Sequence, residues 1–121
     1  MGIICGWLGE KSVSQPASID KMFAAATGYT DASPVGYTSD LGTVCIYDGQ
    51  PSPSDYCSED ICAVIEGHPG WEDPILAQLA KEENSSHALA EGFWRYGLKD
   101  FDMIHGDFAL CIMKPADGYV L

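Results

Sequence analysis

The chain has 121 residues, of which 46% are apolar and 20% charged, values typical of a globular domain and not of a disordered segment. Eighteen acidic residues against six basic ones leave a net charge of −12, which repels nucleic-acid phosphates and anionic membrane surfaces. No apolar run reaches the roughly 20 residues of a membrane span, and no basic and apolar leader marks a secretory signal. We therefore expect a cytoplasmic protein without nucleic-acid or membrane partners.

The first third of the chain predicts a strand, a helix and a loop. The apolar residues 2–8 predict a buried strand. Ser18 is a suitable N-cap and Gly28 a suitable terminator for a helix over residues 18–26. Residues 27–40 are rich in Gly, Thr, Ser and Asp, a composition typical of loops.

The middle third predicts two more strands. Residues 43–47 are apolar and β-branched, and the turn dipeptide Asp48-Gly49 follows them. Residues 51–60 predict a surface loop. Residues 61–65 are apolar throughout, which predicts a strand buried on both faces.

The last third predicts two helices and a hairpin. Asp73 followed by proline predicts a helix start, and a second helix is expected from Ser85 or Ser86 to Tyr96, ended by Gly97. Residues 108–113 predict a strand that turns at residues 117–118 into a partner. The apolar residues expected on the buried helix faces are Ile75, Leu76, Leu79, Leu89, Phe93 and Tyr96. Short turns between strands indicate antiparallel pairing, so we predict one α+β domain over residues 1–121.

The cysteine pattern indicates thiols and not a metal site. The five cysteines are Cys5, Cys45, Cys57, Cys62 and Cys111. Their number is odd and three of them lie in apolar runs, which favours free, buried thiols in a reducing compartment. The pair separated by four residues has no second Cys or His pair at zinc-site spacing. With no phosphate-binding glycine loop either, we expect no metal and no cofactor.

Few residues suggest chemistry by themselves. His68 follows a strand, where functional residues often lie, although an exposed turn histidine is the simpler interpretation. Glu66 could be a general base or only a polar strand end. His87 and His105 have no acid or thiol at a spacing that implies a dyad. Cys5 has apolar neighbours, and burial raises the pKa of a thiol and makes it unreactive.

Several segments resemble a known family. These are MGIICGW at 1–7, YDGQP at 47–51, AVIEGHP at 63–69 and IHGDFALCI at 104–112, the last preceded by Gly97. Together they resemble the class II (N-terminal-nucleophile) glutamine amidotransferase domain of asparagine synthetases. The resemblance implies an Ntn-hydrolase-like αββα sandwich, in which helices flank two antiparallel sheets.

The family's catalytic residues are largely replaced. In that family a cysteine exposed by removal of the initiator Met attacks glutamine, and its own α-amino group is the base. Gly2 stands at that position, and Cys5 matches a second, non-catalytic cysteine of the family. An Asn side chain and a Gly backbone N–H form the family's oxyanion hole; Glu66 replaces the former and Gly67 is retained.

The substrate-binding residues are replaced as well. The family holds the α-carboxylate of glutamine with an Arg and its α-amine with an Asp. No arginine precedes Arg95, and the position of the aspartate falls near Ser85. The resemblance therefore implies a degenerate glutaminase site with no catalytic residue, in which Gly67 alone keeps a substrate-binding role.

Two alternatives remain. If residues 1–4 were a propeptide, Cys5 would become the N-terminal nucleophile of an active glutamine-hydrolysing amidotransferase, and the other replacements would stand. Alternatively, the likeness is accidental and the chain is an unrelated α+β binding module.

The resemblance also predicts partners. The family domain continues beyond the segment that matches 119–121 with further strands and an ATP-dependent synthetase domain, so this chain corresponds to a domain truncated at its C-terminus. Unpaired sheet edges invite pairing with another chain. We therefore expect a homo-oligomer, or docking to an asparagine-synthetase-like partner domain.

Overall fold

The computed structural model describes residues 3–8, 21–22, 25, 35–39, 42–47, 55–58 and 60–121. The strands are β1 (Ile3–Leu8), β2 (Val35–Ser39), β3 (Gly42–Tyr47), β4 (Asp55–Cys57), β5 (Cys62–Gly67), β6 (Gly70–Trp71), β7 (Ile104–His105), β8 (Phe108–Lys114) and β9 (Tyr119–Val120). The helices are α1 (Pro74–Glu82) and α2 (Ser85–Tyr96), with 3-10 helices at Gly97–Met103 and Pro115–Asp117. The predicted α+β class is confirmed, and none of the described helices is long and apolar enough to cross a bilayer.

All the described strand pairs are antiparallel. One sheet has the order β1-β3-β2, a second has the order β4-β5-β8-β9, and β6 pairs with β7 in a small third sheet. Strand β5 lies in the interior of the second sheet, between β4 and β8. It therefore organises the core on both of its faces.

Alternate residues of β5 face two different apolar clusters. Ala63 and Ile65 belong to a cluster that contains the buried residues of α1 and α2. Cys62 and Val64 belong to a second cluster, against which Ile4 of β1 packs. This alternation follows from the two-residue period of a strand. It confirms the prediction, made from the apolar run 61–65, of a strand buried on both faces.

Helix α1 begins as predicted, but one of its apolar residues faces outward. The Asp73 carboxylate accepts hydrogen bonds from the backbone N–H of Ile75 at 2.8 Å and of Leu76 at 3.3 Å. Leu76 is fully buried and Leu79 half-buried. The prediction for Ile75 is wrong, because its side chain is 59% exposed. Ile75 lies about 100° round the helix from the fully buried Leu76 and about 40° from the half-buried Leu79, so it stands at the edge of the covered face and not at its centre.

Helix α2 begins at a side-chain cap and ends at a glycine. Its N-cap is Asn84, whose side-chain oxygen accepts from the His87 N–H at 2.7 Å. It ends at Gly97, with φ 61°, in the left-handed region that glycine adopts without cost. Tyr96, predicted on the buried face, is 38% exposed, and its hydroxyl donates to the Asp73 carboxylate. This contact joins the end of α2 to the start of α1.

Two segments predicted as loops contain strands. Residues 35–39 form β2 and pair with β3, and residues 55–57 form β4 and pair with β5. Both are short and rich in polar residues, so their strand conformation comes from pairing with an apolar neighbour and not from local preference. Of the helix predicted over 18–26, the described residues Lys21, Met22 and Ala25 are helical. The turn at 48–49 lies outside the described residues.

The cysteines do not share one state. Cys57 and Cys62 lie opposite each other in the β4–β5 pair and form a disulfide, with Cα atoms 4.1 Å apart. The free-thiol interpretation is therefore wrong for this pair. Cys111 is a free, half-buried thiol, and burial raises its pKa. Cys5 and Cys45 lie opposite each other in the β1–β3 register, and their side chains lie outside the described residues.

A buried carboxylate packs against a glycine of α2. Asp100 has no exposed surface, although it belongs to the polar 3-10 segment that follows the helix. A Cβ placed on Gly92 would overlap the Asp100 carboxylate and lie 2.6 Å from its Cγ. The absent side chain of Gly92 thus makes room for the acid.

We expect Gly92→Ala to lower the free energy of unfolding by about 1–2 kcal/mol through overpacking. The sign is opposite to that of helix propensity, which favours alanine over glycine by up to about 1 kcal/mol. Urea unfolding measures the change. The control is Gly70→Ala, where an added Cβ meets nothing within 4 Å. A stabilised Gly92→Ala protein would contradict the packing argument.

Candidate functional site

The two positions that the resemblance assigns to the oxyanion hole, Glu66 and Gly67, lie at the end of β5. Glu66 is half-buried and lies opposite Ala109 of β8, and Gly67 is exposed and lies opposite Phe108. The strand ends here, so these two residues form the boundary between the apolar sheet and the surface.

Gly67 is packed tightly in an unusual backbone conformation. Its φ is 112°, which side-chain-bearing residues rarely adopt. A Cβ on it would overlap the carbonyl oxygen of Asp107 and lie 2.9 Å from the Cα of Phe108. Only glycine suits both the conformation and the space.

The chain after Gly67 is held by the turn that precedes β8. The His68 N–H donates to the Asp107 carbonyl oxygen at 2.8 Å. A Cβ on Gly106 would overlap the His68 carbonyl oxygen, so the two turns are in close contact. The backbone at the end of β5 is therefore fixed on both sides.

The start of α2 lies beside the end of β5. The buried Ser86 hydroxyl accepts a hydrogen bond from the Ile65 N–H at 3.1 Å. Glu66 and Ser85 each adjoin one of these partners in the chain. This hydrogen bond ties the start of α2 to the residue before Glu66, while the two-residue period of β5 turns the Glu66 side chain to the face opposite Ile65.

At the end of β5, the Glu66 side chain offers a hydrogen-bond acceptor and not a donor. A carboxylate at Glu66 accepts hydrogen bonds and carries negative charge, whereas an oxyanion requires a donor. Ser85 is half-buried and brings no charge for an ammonium group. Arg95 lies elsewhere, on α2, with its Nε 2.8 Å from Glu91 Oε1.

The two positions considered for the nucleophile are Gly2 and Cys5. Gly2 lies outside the described residues. Cys5 belongs to β1, but its side chain lies outside the described residues.

The histidines make contacts that the sequence pattern does not reveal. His68 is exposed. His105 Nε2 lies 2.8 Å from Glu72 Oε1, with both side chains more than half exposed. A sequence separation of 33 positions leaves no local signal for this pair, which the antiparallel β6–β7 pairing brings together. Such an exposed pair contributes little to stability.

An aromatic group surrounds the third histidine. The His87 ring stacks on Tyr56 with 4.5 Å between ring centroids. Trp94 meets Tyr56 edge-on at 6.3 Å. The contact joins β4 to α2. Among the described side chains, no three His, Cys, Asp or Glu residues come together as metal ligands.

Comparison of the chain with protein-family models, with curated proteins and with solved structures gave no match. The resemblance to amidotransferases therefore rests on the sequence motifs alone.

Proposed function

We propose that the chain is a glutamine amidotransferase-like domain of the asparagine synthetase family, with a degenerate glutaminase site and a structural or docking role. The observation that carries this proposal is the position of Glu66, an acidic residue, at the end of β5 next to the retained Gly67. The oxyanion hole implied by the resemblance requires a donor at this point.

The architecture supports the proposal. Ile4 of the first sheet packs against the cluster of Cys62, Val64 and Met113 in the second, while α1 and α2 cover the opposite face of β5. This order, one helix layer and two sheets, agrees with three of the four layers of the αββα sandwich that the resemblance implies. The tight fit of Gly67 gives that residue a structural reason to be retained without catalysis.

The replacements act on different steps of the reaction. Loss of one oxyanion donor costs roughly 10²–10³ in rate, and loss of the nucleophile removes the covalent step. The missing arginine and aspartate remove the groups that hold the α-carboxylate and the α-amine of glutamine. A domain with these losses would keep its surfaces for binding an asparagine-synthetase-like partner.

A diazoketone analogue of glutamine, which alkylates the nucleophilic cysteine of such a site, tests the proposal. After incubation with the analogue we expect the intact mass of the protein to remain unchanged, because no activated thiol is present. Peptide mapping of the same sample reports on Cys5, and Cys5→Ser is the matched control. A single adduct on Cys5 of a chain that lacks residues 1–4, absent from Cys5→Ser, would overturn the proposal in favour of an active amidotransferase.

A further inference from the structure

Four large apolar or aromatic side chains in and after helices α1 and α2 are exposed. The exposed side chains are Ile75 at 59%, Trp94 at 48%, Tyr96 at 38% and Leu98 at 63%. Single exposed apolar residues are normal, but one of these four, Ile75, lines a groove in the surface.

Part of this surface is a groove between α1 and α2 with a volume of about 490 Å³. Its lining includes the apolar side chains of Ile75 and Leu79, the ring of His87, and the charged groups of Glu82, Glu91 and Arg95. A groove that combines apolar and charged side chains in this way could accept a segment that is itself apolar and charged.

The charges favour one kind of occupant. Gln78 donates to Glu82 at 2.8 Å, and Arg95 donates to Glu91 at 2.8 Å, so both carboxylates are held at the groove by neighbours on their own helices. Two carboxylates against one guanidinium leave the lining negative. A second copy of the chain, which also has a charge of −12, would be repelled. A basic partner would be attracted.

The adjacent aromatic group adds a site for a cationic side chain. His87 lines the groove and stacks on Tyr56, and Trp94 lies against the same tyrosine. Lysine and arginine pack their stems on such rings while their charge remains near water or a carboxylate.

We propose that the groove between α1 and α2 binds a segment of a partner protein that presents an apolar side chain flanked by lysine or arginine. The apolar side chain lies against Ile75 and Leu79, and the cation lies near Glu82 and Glu91. This assignment rests on the docking role proposed above and names its surface.

The test uses a fluorescent peptide of roughly 14 residues, about four helical turns, built from leucine and lysine with the leucines on one face. Fluorescence anisotropy at low salt should show saturable binding with a Kd in the micromolar range. Two further peptides, one with glutamate for lysine and one with serine for leucine, should not bind.

Variants of the protein locate the binding site. Ile75→Ser should weaken binding about tenfold, since it removes an apolar contact that becomes buried when the peptide binds. Glu82→Gln should weaken it about threefold at low salt and hardly at high salt. The matched control is Leu98→Ser, an equally exposed position that does not line the groove, and it should bind like the unaltered protein.

Each opposite result counts against the proposal. No saturable binding, equal binding by Ile75→Ser, or equal weakening by Leu98→Ser would overturn the assignment of the groove. Equal binding of the glutamate peptide would overturn the basic partner. A concentration-dependent dimer mass that Ile75→Ser abolishes would replace the partner with a second copy. An adduct with the glutamine analogue would overturn the proposed function separately, because that measurement does not involve this surface.

Discussion

Gly67→Ala is expected to lower the free energy of unfolding by about 3 kcal/mol or more, which combines backbone strain with a steric clash. The φ of 112° is unfavourable for any residue with a Cβ. The added atom would overlap the carbonyl oxygen of Asp107 and approach the Cα of Phe108. These are backbone atoms of β8 and its preceding turn, so no rotamer change relieves the clash.

Gly118→Ala separates the two causes. Gly118 also has a positive φ of 73°, but an added Cβ there meets nothing within 4 Å. We expect a loss of about 1 kcal/mol from the conformation alone. Urea unfolding followed by circular dichroism compares the two variants. Equal losses would show that the contact with β8 does not constrain Gly67.

Asp100→Asn is expected to stabilise the protein at pH 8 by roughly 2–3 kcal/mol. Asp100 has no exposed surface, and neither of its carboxylate oxygens has a hydrogen-bond partner among the described residues. Burial, with a smaller effect from the negative charge of Asp73, raises the pKa of Asp100 to about 6. Keeping this group ionised above that pH costs free energy that a neutral amide does not.

The pH dependence gives the sharper test. Because the pKa of Asp100 is raised on folding from 3.8 to about 6, the protonated acid favours the folded state. The stabilisation from protonation is complete below the unfolded-state pKa and is lost as the pH rises through 6. The advantage of Asp100→Asn should therefore shrink steadily between about pH 7 and about pH 3, the range that brackets both pKa values.

The matched control for this prediction is Asp102→Asn. Asp102 belongs to the same 3-10 helix but is exposed, so its replacement should change stability little at any pH. Urea unfolding across this pH range measures both variants. A constant difference between Asp100→Asn and the unaltered protein would show that the Asp100 carboxyl does not titrate with a raised pKa.

The sequence predicted those elements whose signals are local. Asp73 followed by proline correctly marks the start of α1, and Gly97 correctly marks the end of α2. The apolar run 61–65 correctly indicates a strand buried on both faces. Helix caps act through residues two or three positions away, and a strand with two buried faces must be apolar at every position, so both features can be recognised from adjacent residues.

At the candidate site the sequence predicted residue types and not contacts. It indicated Glu66, Gly67 and Ser85 through the family resemblance, but it gave no reason for the glycine. That reason is the backbone of Asp107 and Phe108, which lies some forty positions along the chain. The pairing of His105 with Glu72 was likewise beyond any local pattern.

The sequence by itself therefore determined the α+β class, the helix ends, the buried strand β5 and the acidic charge, because each depends on composition or on neighbouring residues. The tertiary structure alone decided that residues 35–39 and 55–57 become strands, since short polar segments adopt that conformation only beside a partner. It also decided that Ile75 faces outward, and that Asp100 is buried against Gly92. Which helix face is covered, and which polar group is taken out of water, depends on the elements that pack there and not on local preference.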